Sequence, residues 1–186
     1  MNDLNFAAAV PLSDVHPPSE RLAVLFDTYY DRLYCLARRL TPSADDALDL
    51  VQETFLKAAK SQNSIPLGVP DEEAWLVRVL INSQRDQWRK TSTRGRHATS
   101  AFSVSGPSTD KASFEASVIA RDMVWQALDA LSPRRRAVLV MHELEGRAIS
   151  AIASLLGMSA ITVRWHLSKG KRDLLHALRL CKGEGR

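Results

Sequence analysis

Between Thr162 and Arg172 the chain carries Thr162, Arg164, Trp165, His166, Lys169, Lys171 and Arg172 on what its periodicity predicts to be the outward side of a helix. Guanidinium and ammonium groups neutralise phosphates, and Arg, His and Thr donors suit base edges in a major groove. The competing reading is a helical hairpin that packs a core beneath a solvated charged face. A second constellation lies upstream: at about 100° per residue, Arg78, Asn82, Arg85 and Arg89 fall in one narrow helical stripe with Trp75 at its margin. There, arginines can hold phosphates, Asn82 can pair with a base edge and an indole can stack on an unpaired base, a combination suited to single-stranded DNA. Solvated arginines, with Trp75 or Trp88 in the core, are the plainer alternative. A third group is acidic and polar: Asp45, Asp46, Asp49, Gln52 and Glu53 stay outside the apolar stripe of their helix.

Other chemistries find no support. His16, His97, His142, His166 and His176 have neither metal-ligand nor triad spacing, and no Gly-rich phosphate loop or paired carboxylate site occurs. We therefore expect no catalytic residue, no metal and no cofactor. Cys35 and Cys181 stand far apart within apolar helical patterns, which suits reduced thiols in a cytoplasm. No signal peptide is expected, since no Lys or Arg precedes Arg21, and no apolar run is long enough to span a membrane.

Charge separates the same parts of the chain. Residues 1–74 carry 6 Lys/Arg against 12 Asp/Glu, a balance of −6, whereas residues 75–186 carry 19 against 9, a balance of +10. A polyanion is the natural partner of the second part and a basic or polar protein that of the first.

The elements that position these groups are all helices, so the fold class is all-α: two small helical domains joined by a flexible linker. Residues 1–20, with Pro11, Pro17 and Pro18, read as a loose leader. Residues 21–90 read as one domain. Leu22, Leu25, Phe26, Tyr29, Leu33, Leu36 and Leu40 share a face of its first helix. Ser43 and Asp46 mark the capped start of the second, along which Ala44, Ala47, Leu48, Val51, Phe55 and Ala58 continue one face. A third helix from about Asp71 to Lys90 turns Leu76, Val79 and Leu80 inward. Residues 91–113, rich in Ser, Thr and Gly, form the linker. Residues 114–186 form the second domain, with Ser132-Pro133 starting one helix. A helix-turn-helix follows at about 149–180, with Ala153 at the close approach, Gly157 in the turn and Val163 locking the second helix inward. Gly170 costs its helix on the order of 1 kcal/mol, so a frayed or bent tail is expected beyond it.

The order and separation of these constellations resemble regions 2 and 4 of sigma-70-family RNA polymerase sigma factors. Leu50-Val51-Gln52-Glu53-Thr54-Phe55 resembles the region 2.2 signature. Ala74-Trp75-Leu76 through Asn82 and Asp86 to Arg89-Lys90 resembles regions 2.3 and 2.4, and Leu131-Ser132-Pro133 through Leu167 resembles region 4. Without recognisable regions 1.1 and 3, the chain is most similar to the extracytoplasmic-function (ECF) group. The resemblance implies a non-enzymatic protein that binds core polymerase, on its beta-prime clamp and beta subunits, and directs promoter recognition and opening. It implies core-polymerase docking by Asp46, Asp49, Gln52 and Glu53; minus-ten DNA binding by Trp75, Arg78, Asn82, Arg85 and Arg89; and minus-thirty-five DNA binding by Thr162, Arg164, Trp165, His166, Lys169 and Lys171. It also implies an anti-sigma partner and a linker threaded toward the RNA exit path. Two departures stand out: Trp165-His166 where the family has a small polar residue and Arg, and Ser150-Ala151 where it has acidic residues. A stand-alone helix-turn-helix regulator is the alternative, and dependence of DNA binding on core polymerase discriminates the two.

Overall fold

The computed structural model describes residues 18–93 and 111–181, so the leader as far as Pro17 and the linker between 94 and 110 lie outside the described residues. Those described form seven α-helices and no strand: α1 (Pro18–Leu40), α2 (Ala44–Lys60), α3 (Val69–Thr93), α4 (Lys111–Asp129), α5 (Pro133–Glu143), α6 (Ile149–Leu156) and α7 (Ala160–Cys181).

Local chemistry sets the boundaries. Ser43 caps α2 by accepting from the Asp46 amide at 3.0 Å. Pro133 occupies the first turn of α5, where its missing N–H costs nothing. Gly157 ends α6 in the left-handed region (φ 63°), closing the turn of the helix-turn-helix. The connection from α2 to α3 includes a 3-10 turn, Gln62–Ser64, and is held from α1. Arg21 donates to the carbonyls of Ile65 at 2.9 Å and Pro66 at 2.8 Å, and the Tyr29 hydroxyl donates to that of Val69 at 3.0 Å. Burial and the neighbouring Glu72 carboxylate push the Tyr29 hydroxyl up to about 12, so it stays a donor.

The inward stripe of α3 runs through Leu76, Val77, Leu80 and Ile81, and not through Val79 as expected. Leu76 and Leu80 are fully buried as expected, but Val77 and Ile81 are buried with them and Val79 is only half-buried. The reason is the helical period, since Val77, Leu80 and Ile81 stand at i, i+3 and i+4 while Val79 lies on the other side of Leu76; α3 packs against α1 and α2 and also against α5 and α6. Phe26 also departs from the α1 stripe, being 44% exposed while its ring packs on Phe55 and Tyr30 at 4.9 and 4.8 Å.

One continuous apolar cluster runs from Leu25, Leu33 and Leu50 through Val77 and Ile81 into Met141, Ile152 and Val163. The two helical groups therefore share a seam rather than lying apart. At that seam the side chain of Arg136 is buried, donating to the Leu40 carbonyl at 2.9 Å and to Asp129 at 2.7 Å. Ion pairs cross the same boundary, Arg39 with Glu145 at 2.8 Å and Arg147 with Glu73 at 3.9 Å. They surround a cavity of about 560 Å³ floored by Leu36, Val77, Met141 and Leu155.

Candidate nucleic-acid interface

The second helix of the helix-turn-helix is α7. Its start is fixed by Ser159, whose hydroxyl accepts from the Thr162 amide at 3.1 Å and lies 2.8 Å from the Thr162 hydroxyl. Thr162 is thus half-buried and engaged in the cap, which limits what it can offer a base. Val163 and Leu167 turn inward, leaving Ile161, Arg164, Trp165, Ser168, Lys171 and Arg172 exposed. Arg164 and Trp165 stand side by side at the entry turn, where a helix in a major groove presents its base-reading residues.

Trp165 is held in place from α5. The Arg135 guanidinium lies 5.4 Å from the indole centroid, and the His166 ring meets the same indole edge-on at 5.0 Å. Arg135 is itself fixed by Asp173 at 3.0 Å, and Asp173 also takes Lys169 at 3.1 Å. His166 is half-buried, and desolvation, with Arg135 and Arg134 nearby, holds its imidazole below its ordinary pKa. Lys171 pairs with Glu143 at 2.8 Å. Of the sequence-selected groups, Arg164, Trp165 and Lys171 are exposed, and Lys169 and Lys171 are tethered by carboxylates. Arg134 and Arg135 were missed by sequence reasoning. The signal available was their position one helix earlier, in the run Arg134-Arg135-Arg136, whose members take three different environments.

The fraying expected beyond Gly170 does not occur, and α7 continues to Cys181. Gly170 is buried against α5: a Cβ there would lie 3.4 Å from the Leu139 side chain and 3.7 Å from the Arg135 carbonyl. Its packing against α5 compensates the propensity cost that sequence alone assigns.

On α3, Trp75, Arg78, Asn82 and Arg85 are half-buried and Arg89 is exposed. Arg78 and Asn82 meet the second half of the chain: together with Ile81 they face Arg134, Leu156 and Met158 across a cleft of about 90 Å³. Trp75 packs against the core cluster, consistent with its marginal place on the stripe.

On α2, Asp46, Asp49 and Gln52 are exposed, and the exposed Leu56 adds an apolar side chain to that surface. Glu53 differs: it pairs with Lys57 at 2.9 Å and accepts from Gln87 of α3 at 3.0 Å, so it braces α2 on α3. Among the described residues no cluster of His, Cys, Asp and Glu could hold a metal, and no helix is long and apolar enough to cross a membrane.

Comparison with known proteins bears on these surfaces. Residues 25–94 match the family model of Sigma-70 region 2, and residues 121–174 match that of Sigma-70 region 4. The chain is 32% identical over 151 residues to the ECF RNA polymerase sigma factor SigE of Mycolicibacterium smegmatis, covering 77% of this chain and 56% of the relative's length. It is 31% identical over 154 residues to the ECF RNA polymerase sigma factor SigL of Mycobacterium tuberculosis, covering 82% and 86%. In fold it resembles the sigma factor RpoE of Bartonella quintana, solved with the anti-sigma factor NepR, with a TM-score of 0.53 at 24% identity over 87% of this chain and 96% of that one. With both regions matched in order and the relatives aligned across both, the chain belongs to the ECF RNA polymerase sigma factors of the sigma-70 family.

Proposed function

We propose that this protein binds core RNA polymerase and directs it to promoters, region 4 reading duplex DNA at the minus-thirty-five element while region 2 captures the unpaired minus-ten strand. The observation that carries this is the helix-turn-helix itself: a Gly157 turn, a capped α7, and Arg164 and Trp165 exposed side by side at its entry. The stripe from Arg78 to Arg89 on α3 supplies the second contact, with Asn82 as base reader and Trp75 at its edge. Asp46, Asp49 and Gln52 supply a polymerase-docking face, to which Leu56 adds apolar area, whereas Glu53 acts chiefly by fixing that face on α3. No covalent chemistry is required, because binding energy alone selects and opens the duplex.

Units corresponding to residues 21–90 and 114–186 fit this division of labour, with the intervening segment as tether. An anti-sigma partner fits as well, since the RpoE fold relative was solved with one. A stand-alone regulator is disfavoured, as the relatives aligned across both regions are sigma factors. The test is transcription by core polymerase, with and without the protein, on a pool of promoter fragments from its own genome. New, protein-dependent transcripts are expected; DNA binding that neither needs nor recruits polymerase would overturn the proposal.

A further inference from the structure

The open face of α7 carries two large apolar side chains among its cations. Ile161 is 77% exposed and Trp165 is 53% exposed, and at four residues' spacing they stand one above the other on one side of the helix. Leaving them in water gains the fold nothing, since Val163 and Leu167 already supply the inward contacts of this part of the helix. The surroundings do not suit an apolar protein partner. Arg164 and Arg172 are exposed on the same helix, Arg134 is exposed on α5, and the Arg135 guanidinium stands over the indole at 5.4 Å. An apolar strip set among guanidinium groups fits a polyanion that also offers methyl groups. Duplex DNA offers them as the 5-methyl of thymine in the major groove.

The two side chains differ in how they are held. Ile161, at the second position of α7, is branched at Cβ and restricted to few rotamers on its own. An exposed indole has no such restriction, and here it is braced by its neighbours. Arg135 covers it from α5, and the His166 ring meets it edge-on at 5.0 Å. Arg135 is kept in that place by Asp173 at 3.0 Å. A side chain fixed before binding loses less freedom on binding, so the brace favours contact by Trp165 in one orientation.

We propose that Ile161 and Trp165 form a methyl-reading strip, each selecting a thymine of the minus-thirty-five duplex, and that Arg135 is the positioning residue for Trp165. The inference deepens the assignment of α7 to that duplex given above and rests on it. The two side chains stand about 5 to 6 Å apart along the helix, more than one base step of about 3.4 Å, so they address different bases. Arg164, next to Trp165 in the chain, supplies the hydrogen bonds that apolar groups cannot make.

The test uses the full chain bound to core polymerase. Duplexes randomised across the minus-thirty-five element first yield the sequence that the parent protein prefers. Each thymine in it is then replaced by uracil, which lacks only the 5-methyl group. Two positions are expected at which uracil binds roughly fourfold more weakly, the worth of one buried methyl group. Ile161→Ala should abolish the difference at one of them and Trp165→Ala at the other. Trp165→Gln, which keeps bulk and a polar end for base edges, should abolish it at the same position as Trp165→Ala. Arg135→Gln should reduce the difference at the Trp165 position and leave the Ile161 position intact, which a general loss of structure in this domain would not do. Ratios of thymine to uracil affinity that stay unchanged in the Ile161 and Trp165 variants overturn the reading strip. Loss of both ratios in Arg135→Gln, or equal weakening of every probe with both ratios kept, overturns the positioning role. A selected sequence without any methyl-dependent thymine refutes the strip alone. If polymerase carrying the parent protein selects no sequence at this element, the assignment of α7 fails and this inference with it.

Discussion

Arg136 donates to the Leu40 main-chain carbonyl at 2.9 Å across 96 positions of the chain, and Gln84 donates to the same oxygen at 2.6 Å. That carbonyl closes α1, where no later amide of the helix can reach it, so α3 and α5 supply the donors that α1 lacks. Replacing Arg136 with Ala removes a buried guanidinium and leaves the Asp129 carboxylate without it. Urea unfolding should show a loss of about 2 to 4 kcal/mol, with Arg136→Met, closer in volume, losing less.

The two structural glycines should respond in opposite directions. Gly157 adopts a left-handed conformation with Arg78 against it, so Gly157→Ala should cost about 1 kcal/mol or more. Gly170 is helical and its added Cβ would meet Leu139 at an ordinary 3.4 Å, so Gly170→Ala should gain up to about 1 kcal/mol. Thermal unfolding of both variants checks the pair.

Arg164→Ala and Trp165→Ala should each weaken binding of polymerase holoenzyme to a minus-thirty-five duplex by about 1 to 3 kcal/mol, roughly 5- to 150-fold, with stability preserved. Lys171→Ala should act more mildly, because that ammonium is already paired with Glu143 at 2.8 Å. Filter binding across a salt series distinguishes them: removing a phosphate contact flattens the salt dependence, whereas removing a base contact relaxes sequence preference.

His166 should titrate below the ordinary imidazole value of 6.5 and be neutral at pH 7. Because its folded-state pKa is depressed, the unfolded chain takes up the proton first as pH falls. Stability present above about 6.5 should therefore decline as pH drops toward the folded value, and the decline should be smaller in His166→Gln. The imidazole resonances of the folded protein, followed by NMR, give the midpoint directly.

The helices were legible wherever local signals agreed. Ser43, Pro133 and Gly157 mark ends that the structure places within a residue or two of expectation, because caps, prolines and left-handed glycines act through their immediate neighbours. The faces were less legible. Val77, Leu80 and Ile81 stand at i, i+3 and i+4 on one face with Leu76, so their burial follows the helical period, whereas Val79 lies on the other side of Leu76 and is only half-buried. Arg136 reads in sequence as one more cation of a basic run, and only the Leu40 carbonyl and Asp129 make its burial tolerable. For the candidate sites, spacing placed Arg164 and Trp165 on the outward side of α7, and both are exposed there. Spacing carries no information on a carboxylate supplied by another helix, which is why the pairing of Lys171 with Glu143 was not legible, whereas Asp173 stands four residues after Lys169 on the same helix and its pairing was within reach of the sequence.

The Arg21 clamp on the carbonyls of Ile65 and Pro66 has a kinetic consequence. These bonds join positions 44 and 45 residues apart, so the loop entering α3 cannot settle until the first turn of α1 has found it. Closure of such a distant contact comes after the local turns of α1 and α2 have formed. The approach to α3 is thus a late-ordering piece of the acidic half, and its amide hydrogens should be among the last in that half to gain protection during refolding.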